Sequence, residues 1–343
     1  MKAIAFAEYG GPEVLEEVEL PRPEPGPSDV VVEVGAVCVG RLLDVAARAG
    51  KLPFLQLPLP HVLGAEHAGV VAAVGDAVTD LQPGTAVAVF PVITCGACAY
   101  CRRGREEACP QLEIIGVHRQ GAYAQYTCVP RDNVFPLPEG LNAVEGAALA
   151  LAGPLAWRQF EVAGVEPGQW LLVQAGGSAL GSLTAALGVH RGARVIATSR
   201  QAEKREALET LGVEAALDWT DDDFVDRVRQ LTDGRGVPVA IDNIGAADMF
   251  AKTLASLDRA GTLIFSGAFI GGKPAIDLRS LYTLSQRIVG MRTTNLCSAS
   301  EFWEQVGAEL RPVIDRPFDL TDAPAAHAHV QDDHNFGRVA LTP

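Results

Sequence analysis

The sequence predicts an α/β chain of two domains, one β-rich and one built on a doubly wound parallel sheet. Two patterns and one size argument carry that reading. Up to about residue 130, short apolar runs at 30–34, 69–74 and 86–91 are separated by Pro and Gly punctuation at 21–27 and 82–84. From residue 167 onward, short apolar runs alternate with longer helical stretches. The length, 343 residues, suits two domains of roughly 100–200 residues each.

In order along the second half, 170–175 reads as a buried strand, 179–190 as a helix, 194–198 as a strand and 201–211 as a helix. The pattern repeats with a strand at 215–219, a helix at 222–232, a strand at 237–242, a helix at 246–257 and a closing strand at 261–267. Strands separated by helices of this length predict a parallel sheet covered on both faces. The tail adds a helix at 301–310 and ends on a strand at 337–341 whose character is that of the first domain. The expected organisation is a first domain over 1–135, an inserted nucleotide domain over 136–292 and a return to the first domain over 293–343.

Composition narrows the function. The chain is 48% apolar and 20% charged, enough to bury sizeable cores. No stretch approaches the ~20 unbroken apolar residues of a membrane span. The first residues alternate apolar and acidic side chains and lack a signal-peptide core and cleavage site, so a cytoplasmic protein is expected. A net charge of −14 without any Lys/Arg cluster argues against nucleic acid, because phosphate contacts need basic side chains. The expected partner is a small-molecule substrate.

Of seven cysteines, four crowd into a lobe at about 92–112: Cys95, Cys98, Cys101 and Cys109. In a large cytosolic chain such clustering reads as metal binding rather than a disulfide framework. Four thiolates this close can complete a tetrahedral S4 shell, which suits zinc and leaves no open position for chemistry. One structural zinc ion per chain is therefore expected.

The strand at 170–175 runs into Gly176-Gly177-Ser178-Ala-Leu180-Gly181 and then a helix. This is the dinucleotide-binding arrangement with Ser178 in place of the middle glycine: a tight turn that lets the backbone approach a pyrophosphate at a helix N-terminus. A site for NAD places Asp or Glu about 20 residues further on, against the ribose 2′-hydroxyl. Here the second strand ends on Ser199 and Arg200, with Lys204 one helical turn later, a set that favours a 2′-phosphate and hence NADPH. Asn243 and the run Gly267-Ala-Phe269 follow later strands at their carboxyl ends, where nucleotide contacts belong.

Together these residues resemble the medium-chain dehydrogenase/reductase superfamily, in its zinc alcohol dehydrogenase-like branch. The resemblance covers almost the whole chain. It rests on Leu63-Gly-Ala-Glu66-His-Ala-Gly-Val-Val71, Gln82-Pro-Gly84, the cysteine lobe, Gly121-Ala-Tyr123-Ala-Gln-Tyr126, the glycine turn and Gly337-Arg338-Val339. It implies a GroES-like catalytic domain, a Rossmann domain, hydride transfer in the cleft between them, a cofactor contact from Arg338, and assembly as a homodimer or homotetramer.

The family's zinc alcohol dehydrogenases hold a second, catalytic zinc, and here the resemblance breaks. Anchored on Asp44, Arg41 stands where the ligand Cys belongs and Leu43 where the proton-relaying Ser or Thr belongs. Ala65 replaces the ligand His, and the segment 147–156 that supplies the third ligand has no Cys, His, Asp or Glu. The expected occupant of the vacated site is an Arg41–Glu66 ion pair, with Arg41 able to stabilise a developing enolate.

Relatives without catalytic zinc commonly reduce activated C=C bonds, so the expected reaction is NADPH-dependent reduction of an α,β-unsaturated carbonyl or quinone. Three other readings stay open: a zinc-type alcohol dehydrogenase or carbonyl reductase, an imine or iminium reductase in a biosynthetic pathway, and a non-enzymatic NADPH-binding protein.

Overall fold

The computed structural model describes residues 1–52, 56–268, 270–306 and 309–343. The chain divides into two units, Met1–Pro154 with Thr294–Pro343, and Leu155–Thr293.

The second unit is built on six parallel strands. Across the sheet they run Ala215–Leu217, Arg194–Thr198, Trp170–Val173, Val237–Asp242, Leu257–Phe265 and Arg287–Gly290. Trp170–Val173 is buried along its whole length, as a strand covered on both faces must be. The strand order reverses beside it, because the chain first adds strands on one side and then on the other. That reversal opens a crevice at the carboxyl ends, the place where such sheets take ligands. Leu172, Ile196, Ala240 and Leu263 pack with Phe224 and Phe250 of the covering helices.

Two details correct the expectation from sequence. The strand expected at 261–267 is Leu257–Phe265: Leu257 already pairs with Val237, and an irregular stretch containing Ala260 (φ 58°) separates it from the regular pairing that resumes at Thr262. A sixth strand, Arg287–Gly290, was not expected; it is four residues long and only partly buried, so it carries no strong apolar run.

The first unit is β-rich. Its largest sheet orders Val134–Pro136, Ala86–Val89, His67–Val74, Asp29–Cys38, Arg338–Thr342 and Ile314–Asp319, with Tyr126–Pro130 also pairing to Asp29–Cys38. The last strand lies antiparallel to Asp29–Cys38, with Ala340 opposite Cys38 and Leu341 opposite Val37. Helix Ala143–Leu149 begins with a capping box between Asn142 and Glu145 and packs on Asp29–Cys38 and His67–Val74. That packing moves the end of the first segment to Pro154, later than the expected boundary at 135. Among the described residues, no helix is long and apolar enough to cross a membrane.

Candidate functional site

The cysteine lobe closes on itself through two single helical turns, Cys101–Arg103 and Glu106–Ala108. Gly104, with left-handed φ, makes the bend between them, and Gly96, also left-handed, bends the chain between Cys95 and Cys98. The four Sγ atoms lie within 4.8 Å of one another, with Cys95–Cys101 at 3.9 Å, Cys98–Cys101 at 3.4 Å and Cys95–Cys109 at 3.6 Å. A zinc–sulfur bond of about 2.3 Å sets the edge of an S4 tetrahedron at about 3.8 Å, so the donor set fits that ion. Backbone N–H groups of Cys101 and Gln111 point at the sulfurs of Cys98 and Cys109, both at 3.4 Å. Backbone donors at Ala97 and Cys98 pull the Cys95 thiol down to about 6, while burial pushes Cys101 up to about 12. A cation shared by all four would hold them as thiolates. Among the described residues, this is the only group of three or more His, Cys, Asp or Glu side chains arranged to hold a metal. The lobe is fastened to its own unit by Leu296 N–H donating to Glu106 at 3.0 Å and by a small core of Phe90, Val92, Leu112 and Ala299.

The glycine turn lies between Trp170–Val173 and helix Ala179–His190. Ser178 caps the helix: its Oγ accepts a hydrogen bond from Gly181 N–H at 3.1 Å. A Cβ at Gly181 would stand 2.1 Å from the Ala175 carbonyl oxygen, so that position admits only glycine. At Gly177 a Cβ would meet the Lys204 side chain at 2.7 Å. The Lys204 stem therefore lies across the turn, and the bare backbone on its other side is the cradle a pyrophosphate needs. Leu180, in the first helical turn, is partly buried. Behind the turn, Thr198 Oγ1 accepts from Ala175 N–H at 3.0 Å and donates to Gln174, which donates to Thr253 at 2.8 Å. This wires the turn to the neighbouring strand.

At the end of that strand Ser199 is buried, Arg200 is exposed and Lys204 is buried. Arg205 donates to the carbonyl oxygens of Ser199 at 2.8 Å and Arg200 at 3.0 Å, which fixes the loop. Asp218, one residue past the outer strand Ala215–Leu217, is engaged by Arg205 and Thr220. Asn243 and Gly267 lie side by side at the ends of their strands: a Cβ at Gly267 would meet the Asn243 carbonyl oxygen at 2.4 Å. Phe269 lies outside the described residues.

The vacated metal position differs from expectation. Arg41 opens a π-helical turn, Arg41–Ala46, in which Val45 N–H reaches back to the Gly40 carbonyl at 3.0 Å. Its guanidinium pairs with Asp333 at 3.3 Å and donates to the Gln331 carbonyl, not to Glu66. Glu66 is held instead by Arg338, through both guanidinium nitrogens, with one contact at 2.7 Å. The expected Arg41–Glu66 pair is therefore replaced by Arg338–Glu66. The reason is register: the last strand places Arg338 inside the sheet beside Cys38, whereas Arg41 begins a turn that leaves it. Arg338, expected at the cofactor, is buried in the first unit with Glu66, Cys38 and Asp44 around it. Asp44 accepts from Gly40 N–H at 2.6 Å and Gly64 N–H at 2.9 Å, and burial pushes its carboxyl up to about 7. Burial likewise pushes the Cys38 thiol up to about 12, so it is a neutral packing group.

A second buried network was not expected. Arg48, fully buried, donates to His327 Nδ1 at 3.2 Å and to Gln331 Oε1 at 2.9 Å. Arginine can only donate, so His327 Nδ1 accepts and its Nε2–H donates to Tyr123 Oη at 2.9 Å. The tautomer is thereby assigned. In the second unit Gln159, also buried, donates to Asn243 Oδ1 at 2.7 Å and to Ser266 Oγ at 2.8 Å. Neither network leaves a local sequence signal, since the partners come from distant segments.

A four-thiol lobe and a glycine turn at the switch point of a parallel sheet define a nucleotide-dependent oxidoreductase. Residues 26–139 match the model of the alcohol dehydrogenase GroES-like domain, and residues 179–310 that of the zinc-binding dehydrogenases. The NAD-dependent alcohol dehydrogenase of Saccharolobus solfataricus is 30% identical, covering 100% of both chains. A zinc-binding dehydrogenase of Sinorhizobium meliloti, solved bound to NADP, is 27% identical with a TM-score of 0.89, covering 100% of this chain and 99% of that one. The quinone oxidoreductase of Pseudomonas syringae is 28% identical with a TM-score of 0.79 over the same shares. The chain belongs to the medium-chain dehydrogenase/reductase superfamily, as an alcohol dehydrogenase-like member.

Proposed function

We propose that the protein is an NADPH-dependent reductase working without a catalytic zinc, acting on the activated C=C bond of an α,β-unsaturated carbonyl or a quinone. The observation that carries this reading is the replaced ligand row: Arg41, Ala65 and the ligand-free segment 147–156, with Glu66 engaged by Arg338. A zinc ion would polarise a carbonyl or acidify an alcohol; this chain offers no side chain at those positions to hold one.

When bound, NADPH supplies a hydride to the β-carbon of the substrate. The chain's own task is to hold the two reactants and to stabilise the negative charge that develops on the carbonyl oxygen. Arg41 is the cation at the replaced ligand position, and its pairing with Asp333 fixes the direction of its guanidinium. The glycine turn and the helix capped by Ser178 receive the pyrophosphate. Ser199, Arg200 and Lys204 favour a 2′-phosphate, since no carboxylate ends the Arg194–Thr198 strand.

The relatives named as NAD-dependent alcohol dehydrogenases favour a second reading, alcohol or carbonyl chemistry. One experiment separates the two. Zinc per chain is measured on dialysed protein by elemental mass spectrometry, and turnover is measured on enones, quinones, iminium ions and alcohols with NADPH and NADH or their oxidised forms. One zinc and enone or quinone reduction with NADPH is the expected result. Two zinc ions, or alcohol oxidation with NAD as the main activity, would overturn it.

A further inference from the structure

We propose that a cleft in the first unit, where strand Arg338–Thr342 ends against strand Lys2–Phe6, is a binding site for a small apolar α-amino acid in its zwitterionic form. Such a site is independent of which reaction the protein runs.

The cleft has a volume of about 310 Å³, at the lower end of small-molecule sites, and lies wholly within the first unit. One wall is strand Lys2–Phe6 with its antiparallel partner Glu16–Glu19, which sets Ile4 opposite Glu17. The other wall is the place where Ile314–Asp319 and Arg338–Thr342 finish together, with Asp319 opposite Thr342. Thr342 stands four residues, or about 13 Å, along its strand from Arg338, so the cleft is separate from the vacated metal position.

The two walls offer opposite chemistry. Gln125 Oε1 accepts from Lys2 N–H at 2.9 Å. A backbone N–H can only donate, so the orientation of this amide is settled and Gln125 Nε2 keeps both of its donors for another partner. Lys2 Nζ spends one of its three N–H groups on Glu17, at 3.0 Å. Across the cleft, Asp319 precedes the single turn Leu320–Asp322. An aspartate in that position ordinarily accepts a backbone N–H of the turn; here it makes no such bond and its carboxylate is left for a ligand. Between the walls the floor is Ala3, Ile4 and Leu320, all buried. An occupant that answers these groups brings an anion to Lys2 and Gln125, a cation to Asp319 and a small apolar body to the floor. An α-amino acid carries all three in the fewest atoms. A simple carboxylic acid leaves Asp319 unanswered, and a simple amine leaves Lys2 and Gln125 unanswered.

The test uses three probes of one shape on the full chain: L-valine, valinamide, which lacks the carboxylate, and 3-methylbutanoate, which lacks the ammonium. Binding is followed by saturation-transfer NMR and equilibrium dialysis. L-Valine is expected to bind the wild type with a Kd of about 1 mM, the range open to so small a ligand. Each single-charge analogue is expected to bind about tenfold more weakly, for the loss of one charge-assisted contact. Asp319→Asn should weaken valine about tenfold and leave 3-methylbutanoate unchanged, since that probe has nothing to offer Asp319. Lys2→Gln should weaken valine and leave valinamide unchanged. Both variants are checked by circular dichroism and melting temperature, and if one does not fold the other decides. The proposal is overturned if the wild type does not bind valine, if either analogue binds as tightly as valine, or if valine binds the folded variants as it binds the wild type.

Discussion

Two stretches of the first unit invite comparison: the cysteine lobe, and the turn around Arg41 with its neighbour Glu66. In the lobe, four donors converge from 15 consecutive residues and nothing else competes for them. Around Arg41 the family's donors are gone, and the interior has been refilled by an ion pair and by backbone bonds to Asp44. One region offers its donors to a cation from outside the chain, the other is filled by a cation the chain supplies. A buried charge must be paired in either case; what differs is whether the pairing leaves a coordination position for chemistry.

The comparison breaks most readily at the lobe. Cys109→Ser should reduce bound zinc from one per chain to none and unfold residues 92–112, since structural zinc in small domains supplies ~10–16 kcal/mol of apparent folding energy. Elemental analysis with proteolysis of the lobe reads the result; retained zinc at full occupancy would show that three thiolates suffice. The next effect lies at the ion pair. Glu66→Gln leaves Arg338 buried without its counter-ion and should cost about 3–5 kcal/mol in denaturant melts. The double variant Glu66→Gln with Arg338→Met should recover much of that loss. If the single variant is as stable as the wild type, the pair contributes specificity rather than stability.

A smaller effect is a pH dependence. Burial holds His67 at about 4 and His327 at about 3, below the ordinary imidazole value of 6.5. Their contribution to stability is complete above pH 6.5 and is lost as pH falls through 4 and then 3. The slope is up to about 1.4 kcal/mol per pH unit for each group. Asp44 works in the opposite sense: with its folded value near 7, its contribution is complete below 3.8 and lost as pH rises through 7. Urea melts of the wild type and His67→Gln between pH 7 and 4 should diverge, the variant losing less stability on acidification. Parallel curves would mean that His67 titrates normally. The smallest effect is expected for Arg41→Ala, because its partner Asp333 is half-exposed and such pairs contribute about 1 kcal/mol or less. A large loss of turnover at unchanged stability would sharpen the comparison, by showing that this cation serves the substrate.

How far the sequence reveals these regions follows from distance along the chain. The lobe and the glycine turn are legible because their parts are neighbours and their spacing is set by local geometry. The parallel sheet is legible because burial on both faces forces continuous apolar runs. The Arg338–Glu66 pair joins residues 272 positions apart, and Arg48–His327 joins residues 279 apart. No periodicity announces such partners, and Arg41 was the nearer cation in sequence but not in space. Gln159, one amide beside Arg158 on helix Ala152–Ala163, finds its partners only when two strand ends are brought to it.

The antiparallel pairing of Arg338–Thr342 with Asp29–Cys38 also fixes an order of events during synthesis. The second unit holds all six of its strands between Trp170 and Gly290 and can close its sheet before the tail is made. The first unit cannot: its central strand waits for a neighbour that is made only after the whole second unit. At ~5–20 residues per second the ribosome needs about 10–40 s to travel from the end of the first segment to that strand. Through that interval Val37 and Cys38 lack their partners Leu341 and Ala340, although Tyr126–Pro130 already covers Asp29–Glu33, and Glu66 has no counter-ion.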